Sequence, residues 1–360
     1  MSIANPVPTP PTLPQTYGFY TRLFSGYQWA WLAVAIVIAI IWPMIVSPFW
    51  LHLFNLALIA IVAATGLNLL CGTARLISLG QAAFMGVGGF TVSFFATEME
   101  WSLPISLLLA FVAGCLAGGL IALPSLRLKA IYVAITTLAL HFVFITGASI
   151  YQSEVVQSHG IVMPIAELGP LTLLRPEEWY HPLLLVAAVA VVAASNIRRS
   201  YLGRRWIAVA DHEVAASALG IDVHRSKISA FAITSGIVAL AGGLAAYYEG
   251  VVSAETYDLH MAIAYLAVII VGGVGSVLGS IIGAIVITLL PYILDAALGL
   301  FEIGQTGGGL NGLHSIVYGL LIIFFMLFEP LGLAEVWRRI RDVGVTWPFR
   351  VRSAQGGSDG

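Results

Sequence analysis

Residues 51–70 read LHLFNLALIAIVAATGLNLL, a run without a single Asp, Glu, Lys or Arg. At 1.5 Å per residue a helix of about 20 residues covers about 30 Å, the hydrocarbon thickness of a bilayer. Similar runs occupy 28–46, 79–97, 104–123, 131–150, 181–195, 228–248, 277–294 and 313–328, and a shorter one occupies 262–271. Over 360 residues the chain is 59% hydrophobic and only 9% charged, where a soluble domain carries about 25% charged residues. Mean hydropathy is +0.94. This excludes an ordinary soluble enzyme, a nucleic-acid binder and a disordered tail protein. The pattern predicts an all-α fold, a polytopic transmembrane helical bundle of about ten membrane segments, because an open sheet edge cannot persist in lipid. Segment 262–271 is too short to cross alone and runs into Gly272-Gly273-Val274-Gly275-Ser276. The pair reads as a glycine-rich broken or re-entrant hairpin, which must be buried in protein or line a cavity.

Charge supplies the orientation. With the N-terminus inside and the segments alternating, every one of the 16 basic residues except Arg175 falls on one side. Glu98, Glu100, Glu154, Glu167, Glu177, Glu178, Glu249, Glu255, Asp258, Asp295 and Glu302 fall on the other. Basic residues collect in cytoplasmic loops, so both termini are expected in the cytoplasm of a multi-pass protein. The expected organisation is a proline-rich cytoplasmic tail over 1–27 and a transmembrane domain over 28–333. A basic cytoplasmic tail follows over 334–360. The domain carries two long loops, 151–180 outside and 196–227 inside.

Several chemistries have no sequence support. Cys71 and Cys115 are isolated in apolar runs, which suits neither a disulfide framework nor a zinc site. The only lysines, Lys129 and Lys227, do not follow a glycine, so no phosphate loop exists. There is no His-Glu-x-x-His metal spacing and no nucleophile elbow. No catalytic residue, metal site or cofactor is expected on this chain. Polar residues inside spans are functional candidates, interhelical hydrogen bonding being the plain alternative. They are His52, Asn55, Thr65, Asn68, Gln81, Thr136, Thr137 and His141. His141 is mid-span and expected to face a cavity. Gln81 opens a glycine-rich helix whose N-terminus suits an anionic group. Asn68, Gln81 and His141, with Gly272, Gly273, Gly275 and Ser276, are the expected translocation path. Most other glycines, such as Gly114 with Gly118 and Gly279 with Gly283, read as helix-packing faces.

The inner loop is the most informative segment. Residues 204–219 favour helix, and Asp211 is placed to cap a second short helix through Leu219, with Gly220 as its stop. Ala216 and Leu219 read as one face of it. Two short helices with a small-residue face, held under the membrane by arginines, offer a docking place for a soluble partner.

Glu213-Val214-Ala215-Ala216 followed by Gly220 has the Glu-x-Ala-Ala-x-x-x-Gly spacing of the coupling loop of bacterial ABC importer permeases. Gly203-Arg204, Ala208, Asp211 and Leu219-Gly220-Ile221-Asp222-Val223 add to it. So do Gly66-Leu67-Asn68-Leu69-Leu70, Ser78-Leu79-Gly80-Gln81, Leu126-Arg127-Leu128, the break at 272–276, and Pro330-x-Gly332-Leu333. Over roughly residues 50–333 the chain resembles the LivM-type permeases of branched-chain (hydrophobic) amino-acid ABC uptake systems. The loop departs from that pattern at Ile207 and Ala210, where basic residues are usual.

The resemblance implies a non-catalytic permease subunit of an importer in the bacterial inner membrane. Its substrate would be a branched-chain amino acid or a related small solute. It implies a second, LivH-like permease, two cytoplasmic ATPases that carry ATP and Mg, and a periplasmic binding protein. Arg204, Arg205, Asp211, Glu213, Ala215, Ala216 and Gly220 would form the ATPase-coupling loop. The rival reading is a free-standing ion-coupled secondary transporter or channel, which would need a mid-span carboxylate. The acids Glu98, Glu249, Asp295 and Glu329 sit instead at span ends.

Overall fold

The computed structural model describes residues 42–43, 45–125, 130–169, 171–300, 319–320, 323 and 332–335. The chain divides at Val46, and its second unit, Ser47–Gly360, holds the bundle. The expected spans 28–46 and 313–328 and the two tails lie almost wholly outside the described residues.

Among the described residues, ten α-helices have bounds at both ends. They are α1 (Pro48–Thr73), α2 (Gln81–Thr97), α3 (Leu103–Ser125), α4 (Ala130–Ile150), α5 (Pro176–Arg199), α6 (Tyr201–Asp211), α7 (Glu213–Ala218), α8 (Val223–Glu249), α9 (Leu259–Gly272) and α10 (Val277–Leu300). Among the described residues five stretches are long and apolar enough to cross a membrane: α1, Leu103–Pro124, Tyr132–Val156, α5 and α8. Helix α9 has 14 residues and spans about 21 Å, short of the hydrocarbon thickness.

Charge and contacts agree on the ends of the bundle. The C-terminal ends of α1 and α5 and the start of α8 gather at a basic end, where Gly72 abuts Gly275 and Arg198 bonds the Gly275 carbonyl. At the opposite, acidic end, Asn55 at the start of α1 donates to the Pro176 carbonyl, and His52 meets the Tyr248 hydroxyl at 2.7 Å. Helices α1 and α5 therefore run parallel, with α8 antiparallel to both.

The long segments are helical as expected, and short strands join them at the acidic end. Strand β1 (Ile161–Val162) pairs antiparallel with β4 (Val251–Val252), and β2 (Ala166–Leu168) pairs with β3 (Leu171–Leu173) through a turn at Gly169. These strands of two or three residues lie outside the long helices. The buried Gln152 accepts the Ala254 amide there, and the Trp179 indole donates to the Leu173 carbonyl.

Helix α8 is the axis of the bundle, with α1, α2 and α3 packed around it. Its crossing with α2 is reciprocal. A side chain at Gly88 would run into the Ala239 backbone, and one at Gly242 into the Met85 backbone. On α3, Gly114 and Gly118 meet Ala239, Ser235 and Phe231 of α8 in the same way. Backbones in van der Waals contact replace the hydrophobic drive that lipid removes. Gly119, one residue from Gly118, faces open space.

Gly88→Val should therefore cost at least about 1–3 kcal/mol of overpacking, because the obstacle is backbone that cannot rotate away. Gly119→Val should leave thermal unfolding of the detergent-solubilised protein near that of the parent chain. Equal melting temperatures for the two variants would contradict the close α2–α8 crossing.

Candidate functional site

Ser200 opens α6, its hydroxyl accepting the Gly203 amide at 3.5 Å. Gly203, Trp206 and Val209, three residues apart, form the buried stripe. The Trp206 indole donates to Ser229 of α8 at 3.0 Å. The outward face carries Arg204, which donates to the Arg199 carbonyl at 2.7 Å. It also carries Arg205, which lies over the Tyr201 ring at 5.5 Å and reaches the Asp222 carbonyl.

The cap of α7 is His212, not Asp211. The chain is still helical at Asp211, and the extended backbone a cap requires occurs at His212 (φ −159°, ψ 102°), whose ring accepts the Ala215 amide. Asp211 instead ion-pairs with Arg75 at 2.7 Å. The helix ends in a Schellman closure: Gly220 N–H donates to Ser217 and Ile221 N–H to Ala216, with Gly220 at φ +81°. Ala216 and Leu219 do not share a face. Ala216 is buried and Leu219, the C-cap, is 82% exposed, because helical spacing stops at Ala218. Ala215 is exposed beside Val214, so the outward surface of α7 is apolar.

Glu213 meets Lys227 of α8 at 2.6 Å. The lysine side chain is only 6% exposed, whereas Arg75 and Asp211 are 63% and 55% exposed. The two pairs flank a groove that Trp206 also lines. Asp222 caps α8 by accepting the Arg225 amide at 3.0 Å, which holds its carboxyl below the usual carboxylate range.

The glycine break joins α9 to α10 at this same end. Gly273 and Gly275 have φ of +114° and +81°, open to glycine and strained for other residues. Asn68 of α1 clamps the turn. Its amide donates to Ser280 Oγ at 2.7 Å and the Ser276 carbonyl at 2.8 Å, and reaches the Gly273 carbonyl at 3.4 Å. Its carbonyl accepts the Gly275 amide at 2.6 Å. Arg198 donates to the Gly275 carbonyl at 2.5 Å from the α5 side. Gly332, from the late Pro-x-Gly-Leu motif, fits against the Gly272–Gly273 backbone. Asn68, Gly273, Gly275 and Ser276 are thus brought together, and Gly272 packs against Gly279 and Gly283.

The structure keeps Gln81 and His141 apart from this cluster. Gln81 is buried and donates to the Ala63 carbonyl at 3.0 Å. His141 is fully buried on α4, and neither ring nitrogen has a hydrogen-bond partner. Thr137 accepts the Leu79 amide, and Thr136 bonds back to its own helix. Sequence reasoning missed the parts played by Gly72, Arg198 and Lys227. Gly72 was legible in principle, since it lies four residues from Asn68 and on the same face of α1.

Comparison with known proteins fits this architecture. Residues 49–326 match the family model described as the branched-chain amino acid transport system / permease component. The chain is 27% identical over 344 residues to the high-affinity branched-chain amino acid transport system permease protein LivM of Escherichia coli (strain K12), covering 86% of this chain and 76% of the relative. The LivM protein of Salmonella typhimurium (strain LT2) is also 27% identical, with the same coverage. The autoinducer 2 import system permease protein LsrC of Enterobacter sp. (strain 638) is 29% identical over 251 residues, covering 67% of this chain and 70% of the relative. No solved structure matches the chain significantly. A bundle of apolar helices, two short helices at its basic end and a family match over well over half of its length lead to one conclusion: this chain belongs to the permease components of branched-chain amino acid transport systems.

Proposed function

We propose that this chain is one permease subunit of an ABC importer that carries a branched-chain amino acid, or a related small solute, into the cell. The family match over residues 49–326 carries that reading. ATP and Mg would bind partner ATPases, and this subunit would do no catalysis. The proposed assembly adds a second, LivH-like permease, two cytoplasmic ATPases and a periplasmic binding protein. The basic end would face the cytoplasm of an inner-membrane protein of ten segments with both termini inside. The tails 1–27 and 334–360 would flank a transmembrane domain over 28–333, with loop 151–180 in the periplasm. Family membership argues against a free-standing ion-coupled transporter.

Helices α6 and α7 would be the coupling loop over 196–227. Arg204 and Arg205 lie on the outward face of α6, and Ala215 on that of α7, beside Val214 and Leu219. Gly220 ends α7, and Asp211 and Glu213 tie the loop to the bundle. In this reading the ATPases move α7, and the bundle alternates access around a path near Asn68 and the break 272–276, with Gln81 and His141 deeper between the helices. The LsrC relatives are named for autoinducer 2, which makes that solute the second to test.

The test is uptake of radiolabelled leucine and of autoinducer 2 by cells with and without this chain, with its companions identified by mass spectrometry after gentle solubilisation. Chain-dependent leucine uptake and a co-purifying ATPase are expected. Chain-dependent autoinducer 2 uptake without leucine uptake would reassign the solute. A chain that purifies alone would overturn the importer reading.

Two further outcomes follow from the geometry. Leu219→Asp with Val214→Asp should release the ATPase while the permease stays folded in the membrane; retention of the ATPase on purification would remove α7 from the docking surface. Asn68→Leu strands the Gly275 N–H, at about 1–3 kcal/mol for a buried unsatisfied group, while the Ser276 carbonyl keeps the Ser280 amide. It should lower the melting temperature and slow uptake together, and an unchanged melting temperature would show that the clamp carries no stability.

A further inference from the structure

The proposed role of α7 leaves open how its movement would reach the membrane, and two tethers bear on that. At its C-terminal end α7 continues through Leu219, Gly220 and Ile221 into Asp222 and α8. The turn there is sharp, with Gly220 at φ +81°, and on the other side His212 joins α7 to α6, which the Trp206–Ser229 bond holds to α8. At its N-terminal end Glu213 meets Lys227 of α8 at 2.6 Å. Resting on the docking reading, we propose that Glu213 and Lys227 form a strut that makes α7 and the central helix α8 one rigid lever, with Lys227 as a positioning residue for transport.

Burial decides between this pair and its neighbour. The Arg75–Asp211 side chains are more than half exposed, and such pairs contribute little. The Lys227 side chain is 6% exposed, and a buried cation holds its partner because separation would strand a charge away from water. Glu213, 53% exposed, gives the pair its reach into the loop. Helix α8 is also the element around which α1, α2 and α3 pack. A push on α7 therefore enters the bundle at its axis. In this arrangement Glu213 spends its charge within the chain and leaves the apolar residues Val214 and Leu219 to meet the ATPase.

The experiment uses the whole complex, purified with its companion subunits and reconstituted, and reads leucine carried per ATP hydrolysed. The double variant E213Q/K227M removes both charges and strands neither. It should assemble and keep its ATPase, while leucine carried per ATP falls about tenfold. The single variant E213K should fall at least as far. The exchanged pair E213K/K227E should recover to within about twofold of the parent chain, as expected of directly coupled residues. A merely structural pair would change the amount of complex and leave the ratio alone.

A normal ratio in E213Q/K227M overturns the strut. So does an assembled E213K/K227E as poor as E213K, since Glu213 would then meet a basic residue of the ATPase and the docking reading would stand without the lever. If the exchanged pair fails to assemble, E213Q/K227M alone decides. A parent complex that purifies without an ATPase overturns the docking reading, and the strut with it.

Discussion

Where α9 gives way to α10, backbone amides and carbonyls lose their helical partners, and a chain in an apolar setting must supply others. Asn68 does so from one side and Arg198 from the other. Much else depends on that arrangement. Asn68 can reach the turn only because Gly72 offers no side chain where the Gly275 backbone lies. The turn can form only because Gly273 and Gly275 accept positive φ. Helices α1, α5, α9 and α10 are thereby held at a common level by polar contacts within a few residues. Hydrocarbon on either side of such a knot would favour the same bonds, because no water competes for them.

The second constraint is steric. Gly88 against Ala239, Gly242 against Met85, and Gly114 and Gly118 against the Phe231–Ala239 stretch bring three helices to backbone contact along α8. Interhelical hydrogen bonds in membranes are modest individually, and close packing of small residues carries much of the association. The centre of the bundle is accordingly tight, and α1 and α8 are mostly buried. Helices α4 and α5 expose most of their surface. A tight axis with looser flanks suits a body that moves as a unit, and the Lys227–Glu213 pair attaches the cytoplasm-facing lever to that axis in the reading advanced above.

How much of this was legible in the sequence varies with the kind of signal. Long apolar runs gave the helices α1, α3, α4, α5 and α8 nearly at their observed positions, because span length is fixed by bilayer thickness. Charge alternation anticipated the two ends of the bundle. The family motifs pointed to Asn68 and the glycine break, though not to the fact that one clamps the other, since that contact joins residues more than 200 positions apart. The cap of α7 falls one residue after Asp211, because Asp and His both accept a backbone amide and only the dihedrals separate them. Ala216 and Leu219 read as one face because helical periodicity in the sequence runs one residue past the end of α7 at Ala218. The short strands at the acidic end have no pattern long enough to announce themselves.

The two ends of the bundle hold together by different physics. At the acidic end, Tyr248 stacks on His52 and takes the Asn55 amide, with Trp179 edge-on to its ring. These are ring contacts and hydrogen bonds rather than ion pairs. At the basic end, charged contacts join neutral ones such as the Asn68 clamp and the Trp206–Ser229 bond, and the charged ones are unequal. Exposed pairs such as Arg75–Asp211 and Arg225–Asp222 sit in water, where salt screens them. Lys227–Glu213 has one partner withdrawn from solvent, and the Arg198 bond to Gly275 lies against packed glycine backbone. Loosening by salt would therefore free α6 from the loop after α1 while leaving α7 fixed to α8. The loop therefore meets the bundle in two ways: an exposed, screened pair between Asp211 of α6 and Arg75, and contacts with buried partners on or from α8, Trp206 of α6 to Ser229 and Lys227 to Glu213 at the start of α7, which salt reaches far less.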